Sequence, residues 1–269
     1  MFFRMKKSKK NTNFIPHGIV NAKDKVLIVS DLHIGLTSNK KFYNKLIDKI
    51  YEESFNYEHV ILNGDVFETW KYGFIRWSIK SRAKKINHIL KEYPGLEELL
   101  TKSNVHYIAG NHDFSVRWAL GLPFKTFESI YIPDFDTHIE HGNNGDPRFS
   151  NKRLMRSGGF RNHIMDWLWD NFSGMLSTGM IVSKIKFELF MARIIFAATG
   201  MNQRYVNYGF ELLDSLNVSC VVLGHTHMHE VIERGDGKIY ANSGQSLDGI
   251  QGIEVAKESV KRVRFKIVK

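Results

Sequence analysis

Five short motifs concentrate carboxylates and imidazoles in this chain. They are Asp31-Leu32-His33, Gly64-Asp65-Val66-Phe67-Glu68, Gly110-Asn111-His112-Asp113, His141-Gly142 and Gly224-His225-Thr226-His227. Mixed Asp, Asn and His donors suit borderline divalent ions such as Mn²⁺, Fe²⁺ or Zn²⁺. The set holds more donors than one ion takes, whereas two ions about 3.5–4 Å apart, sharing one carboxylate, would use them all. Taken singly, each motif has an ordinary explanation: a turn, or a surface histidine pair. Their recurrence along one chain carries the metal reading.

Four of the five follow an apolar run directly: VLIVS before DLH, VILN before GDVFE, HYIA before GNHD and VVL before GHTH. Short β-branched runs of this kind read as buried strands. In open α/β sheets, sites form beyond the carboxyl ends of strands, so the runs would deliver their motifs to one edge. Strands are expected over 25–30, 58–63, 105–109, 137–141 and 218–223. A helix opened by Ser38 carries Phe42, Leu46 and Ile50 on one face, and a second covers 76–93 and stops before Pro94. Strand alternating with helix is the pattern of an α/β sheet. Helix follows over 148–208 and again over 210–216. Short strands over 231–233 and 239–241 flank Gly235-Asp236-Gly237, a hairpin signal, and strands over 252–256 and 260–268 close the chain. Asn242-Ser243-Gly244-Gln245 falls just after a strand, near the expected site, with no role assigned by its residue types.

In this order the motifs resemble those of the calcineurin-like metallophosphoesterases, whose pattern is D-x-H, GD-x-x-D/E, GNH-D/E, H-G and GH-x-H. The match runs from Asp31 to His227. The resemblance implies a four-layer αββα sandwich with a dinuclear site between its sheets. It implies one ion held by Asp31, His33, Asp65 and His227, and a second by Asp65, Asn111, His141 and His225, with Asp65 bridging. His138 is the alternative to His141. A metal-bound hydroxide would attack phosphorus in line. His112 resembles the family's outer acid, oriented by Glu68 or, as runner-up, by Asp113. Two divalent ions, Mn²⁺ first, are the implied cofactors.

With a helical insertion, or lid, after H-G, the set is similar to the UDP-diacylglucosamine hydrolase branch, which cleaves a pyrophosphate in lipid A assembly. In the insertion, Arg148, Lys152, Arg153, Arg156 and Arg161 precede Trp167, Trp169 and Phe172, a mixture suited to phosphate together with acyl chains. Arg148, Arg153, Arg156 and Arg161 are the candidate substrate contacts. That branch commonly has Arg where this chain has His112. A poor alkoxide leaving group gains more from an acid than pyrophosphate does, so His112 leans towards a phosphomonoesterase or phosphodiesterase.

Composition sets the remaining bounds. The 269 residues are 43% hydrophobic and 25% charged, close to a soluble globular average. A single cysteine, Cys220, excludes an intrachain disulfide and a cysteine-based zinc site, and reads as a buried small hydrophobe. No window is long and uncharged enough to span a bilayer. The N-terminus lacks the apolar core of a secretory signal. A cytoplasmic protein is expected; its basic tail reads first as a solvated terminus, with peripheral membrane contact as the alternative. The net charge of +10 sits on that tail, residues 1–13, and on the insertion. A metallophosphoesterase domain spans 14–269. The expected substrate is a phosphorylated small molecule or lipid-linked nucleotide. Nuclease or phosphoprotein phosphatase activity is the alternative, with nucleic acid as partner, and a non-enzymatic scaffold ranks last. His17, His59, His88, His106, His163 and His229 read as structural.

Overall fold

The computed structural model describes residues 13–36, 39–69, 79–145, 201–246 and 249–267. Eleven strands join in one hydrogen-bonded network. Along the chain they are β1 (Phe14–Ile19), β2 (Val26–Val29), β3 (His59–Asn63), β4 (Val105–Ile108), β5 (Thr126–Ile132), β6 (Thr137–Glu140), β7 (Cys220–Leu223), β8 (His229–Glu233), β9 (Ile239–Ser243), β10 (Ile250–Ala256) and β11 (Ser259–Phe265). Their spatial order is β11-β10-β2-β3-β4-β5-β6-β7-β9-β8, with β1 paired to β5. The central β2, β3 and β4 run parallel, as do β6, β7 and β9. Parallel strands present their carboxyl ends to the same side, which is what gathers the motifs.

Side-chain alternation divides this network into layers. Ile28, Ile61 and Ile108 from one half pack in one cluster with Ile139, Val222 and Ala241 from the other. The two halves therefore face each other across a shared interior. Their outward residues go elsewhere: Leu27, Val60 and Tyr107 lie under α1 (Lys40–Glu53), α2 (Ile79–Glu92) and α3 (Pro94–Thr101), while Val221, Leu223 and Tyr240 lie under α4 (Met201–Ser215). The result is the four-layer αββα sandwich. Cys220 sits in the inner layer, and burial pushes its thiol up to about 12, so it is unreactive packing.

Several elements differ from the sequence expectation. In α1 the cap is Asn39, whose Oδ1 accepts the Phe42 N–H at 3.1 Å; Ser38 lies outside the described residues. The buried stripe is Tyr43, Leu46, Ile47 and Ile50, so Tyr43 rather than Phe42 begins it. Pro94 ends α2 as expected but also opens α3, since proline suits the first helical position. Strands β1 and β5 were not expected. Proline, histidine and glycine interrupt β1, which lies at an edge, where proline is tolerated. Glu128 and Ser129 break the apolar run of β5. Asn13, placed in the tail on sequence, is tied down: its Nδ2 donates to Leu122 O at 2.8 Å. Residues 1–12 and nearly all of the insertion, with Arg148, Arg153, Arg156 and Arg161, lie outside the described residues. Among the described residues, no helix is long and apolar enough to cross a membrane.

Candidate metal centre

The strand ends place the motifs side by side. Asp31 and His33 follow β2, Asp65 follows β3, Asn111 follows β4, His141 follows β6, and His225 and His227 follow β7. Backbone bonds lock adjacent motifs together: Asp31 N donates to Gly64 O, and His33 N to Asp65 O. Seven described non-glycine residues have positive φ, and five of them are Asp31, His33, Asp65, His225 and His227. That conformation costs about 1–2 kcal/mol per residue. The sandwich holds it so that residues two apart on the chain, Asp31 with His33 and His225 with His227, turn their side chains to one region.

Three groups of donors converge. Asp31, His33 and His227 present atoms within 4.8 Å of one another, and so do Asp65, His141 and His225, and His33, Asp65 and His112. Nε2 of His227 lies 3.2 Å from Asp31 Oδ1, and Nε2 of His141 lies 3.2 Å from Asp65 Oδ2. Asn111 is buried, as are the other expected ligands apart from His227. His138, the alternative to His141, instead contacts Glu140 at 3.2 Å.

The imidazole tautomers follow from their partners. A carboxylate or carbonyl oxygen only accepts, so the nitrogen facing it carries hydrogen. Nδ1 of His141 donates to Asn63 O at 2.8 Å, and Nδ1 of His33 donates to Glu68 Oε2 at 3.1 Å. Both Nε2 atoms then point to the cluster, buried and without a hydrogen-bond partner, as does Asp31 Oδ1. Orphaned buried polar atoms are costly. A set of orphans that converge, all of ligand type, fits divalent metal ions.

Among the side chains themselves, mutual attraction wins over burial. Burial disfavours the Asp31 carboxylate, yet the adjacent His227 and His141 imidazoles hold it down at about 2. Asp65 and Glu68 are lowered for the same reason by their histidines. Burial works against the His112 and His141 cations, but the facing carboxylates raise them to about 9 and about 10. The ionised carboxylates thus favour positive charge beside them, here the imidazolium of His112 and His141.

His112 stands apart from the ligands. Its Nδ1 donates to Glu68 Oε2 at 2.8 Å, the oxygen that also receives His33. Its side chain is 26% exposed, against 5% for His33 and 1% for His141. His227, at 24%, shares that opening. Asp113 is placed differently from a His112 partner: its carboxylate accepts the backbone N–H groups of Gly110, Val66 and Phe67 at 2.6, 2.7 and 3.2 Å. It ties the β3 and β4 loops together, and burial pushes it up to about 6.

The sequence reading missed two supports. Tyr205 on α4 lays its ring 5.5 Å from that of His225. Asn242 donates to Gly224 O at 2.8 Å and Thr226 Oγ1 at 2.9 Å, bracing the loop that carries His225 and His227. Asn242 belonged to the stretch singled out for its position, whereas nothing in the sequence marked Tyr205.

The calcineurin-like phosphoesterase family model matches residues 24–229. No curated protein matches the chain. Among solved structures, the chain is similar to a conserved uncharacterized protein, a predicted phosphoesterase, of Streptococcus pneumoniae, with 12% identity, TM-score 0.42 and 91% of each chain covered. It is similar to an archaeal phosphodiesterase at 15% identity, TM-score 0.39, covering 90% of this chain and 99% of that one. It is also similar to the E. coli phosphoesterase YfcE at 13% identity, TM-score 0.40, covering 89% and 98%. Because the family match takes in every one of the five motifs and both halves of the sandwich that position them, the chain belongs to the calcineurin-like phosphoesterases, hydrolases that act on phosphoester bonds.

Proposed function

We propose that this protein is a dinuclear, divalent-metal-dependent phosphohydrolase, with Mn²⁺ the preferred ion, acting on phosphomonoesters or phosphodiesters with poor leaving groups. The observation that carries the reading is His112: alone among the cluster histidines it pairs a carboxylate through Nδ1, reaches the opening and lies outside the two expected ligand sets. Asp31, His33, Asp65 and His227 would hold one ion, and Asp65, Asn111, His141 and His225 the other. Bound divalent ions supply Lewis acidity towards a phosphoryl oxygen and acidify water. The chain's own groups do the rest. Glu68 fixes the partly exposed His112 ring through Nδ1, which leaves Nε2–H, 4.0 Å from Asp65 Oδ2, as the proton for the departing oxygen. Asp65 Oδ1 accepts the His112 backbone N–H at 2.8 Å, which sets the distance between acid and ligands.

The test is a His112→Ala variant assayed on an alkyl and an aryl phosphoester with saturating Mn²⁺. The alkyl ester is expected to slow by about 10²–10⁴-fold, and a nitrophenyl ester by far less. Equal slowing of both removes the proton-donor role.

A second substrate class, a UDP-diacylglucosamine-like lipid nucleotide, is favoured by the composition of the insertion, where Arg148, Arg153, Arg156 and Arg161 precede aromatic residues. The same reading puts the protein in the cytoplasm, with Arg4, Lys6, Lys7, Lys9 and Lys10 touching anionic membrane. A turnover panel of lipid nucleotide, simple nucleotides, aryl diester and single-stranded DNA separates the classes. Selective cleavage of the lipid nucleotide makes the insertion an acyl-binding lid. Strong salt dependence on DNA makes the protein a nuclease.

A further inference from the structure

Asp31 is held asymmetrically. Its Oδ2 accepts the Ser30 hydroxyl at 2.5 Å and the His225 N–H at 3.1 Å. Its Oδ1 has no hydrogen-bond partner and faces His227 Nε2 at 3.2 Å and His33 Nε2 at 3.8 Å. Ser30 is itself held: Ser243 Oγ has two acceptors for its one proton, Ser30 Oγ at 2.7 Å and Leu223 O at 3.1 Å, and the shorter contact is to Ser30. A hydroxyl has one proton, so a Ser30 that accepts from Ser243 turns its own proton to Asp31 or to Gly244 O, 3.0 Å away. The ionised carboxylate is the stronger acceptor, and the shorter contact is to it. Both serines are fully buried, and both lie outside the expected ligand sets. Gly224 closes the remaining side, since a Cβ there would come within 2.9 Å of Ser30 Oγ and 3.1 Å of Asp31 Oδ2.

We propose that Ser30, aimed by Ser243, is a positioning residue that occupies Asp31 Oδ2 and so makes Asp31 a one-oxygen ligand, leaving Oδ1 for the ion shared with His33 and His227. This rests on the reading of Asp31 as a metal ligand. Ser243, the last residue of β9, thereby acquires a role at the edge of the site. With Ser30→Ala, the carboxylate loses its charge-assisted bond and keeps only the His225 N–H on Oδ2, so the loss falls mainly on the ion site of Asp31. The Asp65–His141–His225 group has no hydrogen bond from Ser30 and meets Asp31 through that one N–H, so it is expected to lose far less.

The experiment uses the full chain, stripped with a chelator and titrated with Mn²⁺ by calorimetry, and with Co²⁺ followed by its visible absorption. The wild type is expected to take two ions. Ser30→Ala is expected to weaken one of the two by tenfold or more, to leave the other within twofold, and to change the Co²⁺ spectrum of the weakened site. Ser30→Cys, similar in size with a weak donor, is expected between them. Ser243→Ala keeps the Ser30 hydroxyl and is expected to lose only a few-fold. The metal-free melting temperature serves as the control for folding. Two tight sites and an unchanged spectrum in Ser30→Ala overturn the inference. Equal weakening of both sites with a lowered metal-free melting temperature overturns it as well, by showing a general structural role. A wild type that binds no ion overturns the metal-centre reading beneath it.

Discussion

Glu68 Oε2 receives two imidazoles at once, His33 Nδ1 at 3.1 Å and His112 Nδ1 at 2.8 Å. One oxygen therefore fixes the tautomer of His33, a candidate metal ligand, and of the candidate acid. Replacing it with glutamine offers a neutral carbonyl in place of a carboxylate, and the amide of glutamine would face an N–H if flipped. Glu68→Gln is thus expected to weaken metal binding and to lower kcat on alkyl esters together, while His112→Ala lowers kcat alone. The two losses overlap, so a double-mutant cycle should give a coupling of at least about 1 kcal/mol. Additive losses would show that Glu68 does not act through His112. At this scale much was legible: Asp31, His33, Asp65, His141, His225 and His227 are marked by motif order, and the structure brings their donor atoms together, while Asn111 lies buried just after β4. The hydroxyls of Ser30 and Ser243 were not legible, because serine carries no pattern of its own and acquires meaning only from a contact 213 positions apart.

The elements act by ending where they do. The loop after β4 passes so close to that after β3 that a Cβ on Gly110 would lie 2.2 Å from Asp65 Oδ1. Glycine there is a packing requirement between two loops rather than a conformational one, since its φ is not positive. Gly110→Ala is expected to displace Asp65, the residue shared by both ligand sets, and to reduce turnover and metal content together by at least tenfold. Gly235→Ala, where a Cβ meets nothing within 4 Å, is the matched control and should change neither. Turnover of Gly110→Ala within twofold of wild type would show that the loops yield. The apolar runs ahead of the motifs predicted β2, β3, β4 and β7 because buried parallel strands are nearly continuous in Val, Ile and Leu. The same rule hid β1 and β5, whose polar interruptions read as loop. Their pairing is long-range in sequence, Phe14 against Thr126, and no local pattern records it.

At the scale of the whole molecule, the layering came from resemblance rather than periodicity. Alternation along β2 or β3 shows two buried faces but not what covers each. Stability offers a test of the inner layer that does not depend on the metal. His106 on β4 and His59 on β3 meet at 3.1 Å, Nε2 to Nδ1, and His59 Nε2 faces Asn21 O at 3.0 Å. The carbonyl makes His59 Nε2 a donor, so in this pairing His59 Nδ1 accepts the Nε2–H of His106. Burial, then the His59 charge, then Lys125 lower His106 from 6.5 to about 4. The unfolded chain binds this proton below its ordinary value, and the folded chain does not until about 4. Stability is therefore full above about pH 6.5 and falls as pH drops through that window. The loss approaches about 3 kcal/mol, since each tenfold weakening of proton affinity on folding is worth about 1.4 kcal/mol. Acid also protonates the metal cluster, so the measurement is a difference: urea denaturation of wild type and His106→Gln, both with chelator, at pH 7.5, 6, 5 and 4.5. The wild type is expected to lose about 2–3 kcal/mol more than the variant across this range. A difference that stays constant with pH would mean that the histidine pair is protonated, or open to water, in the folded protein.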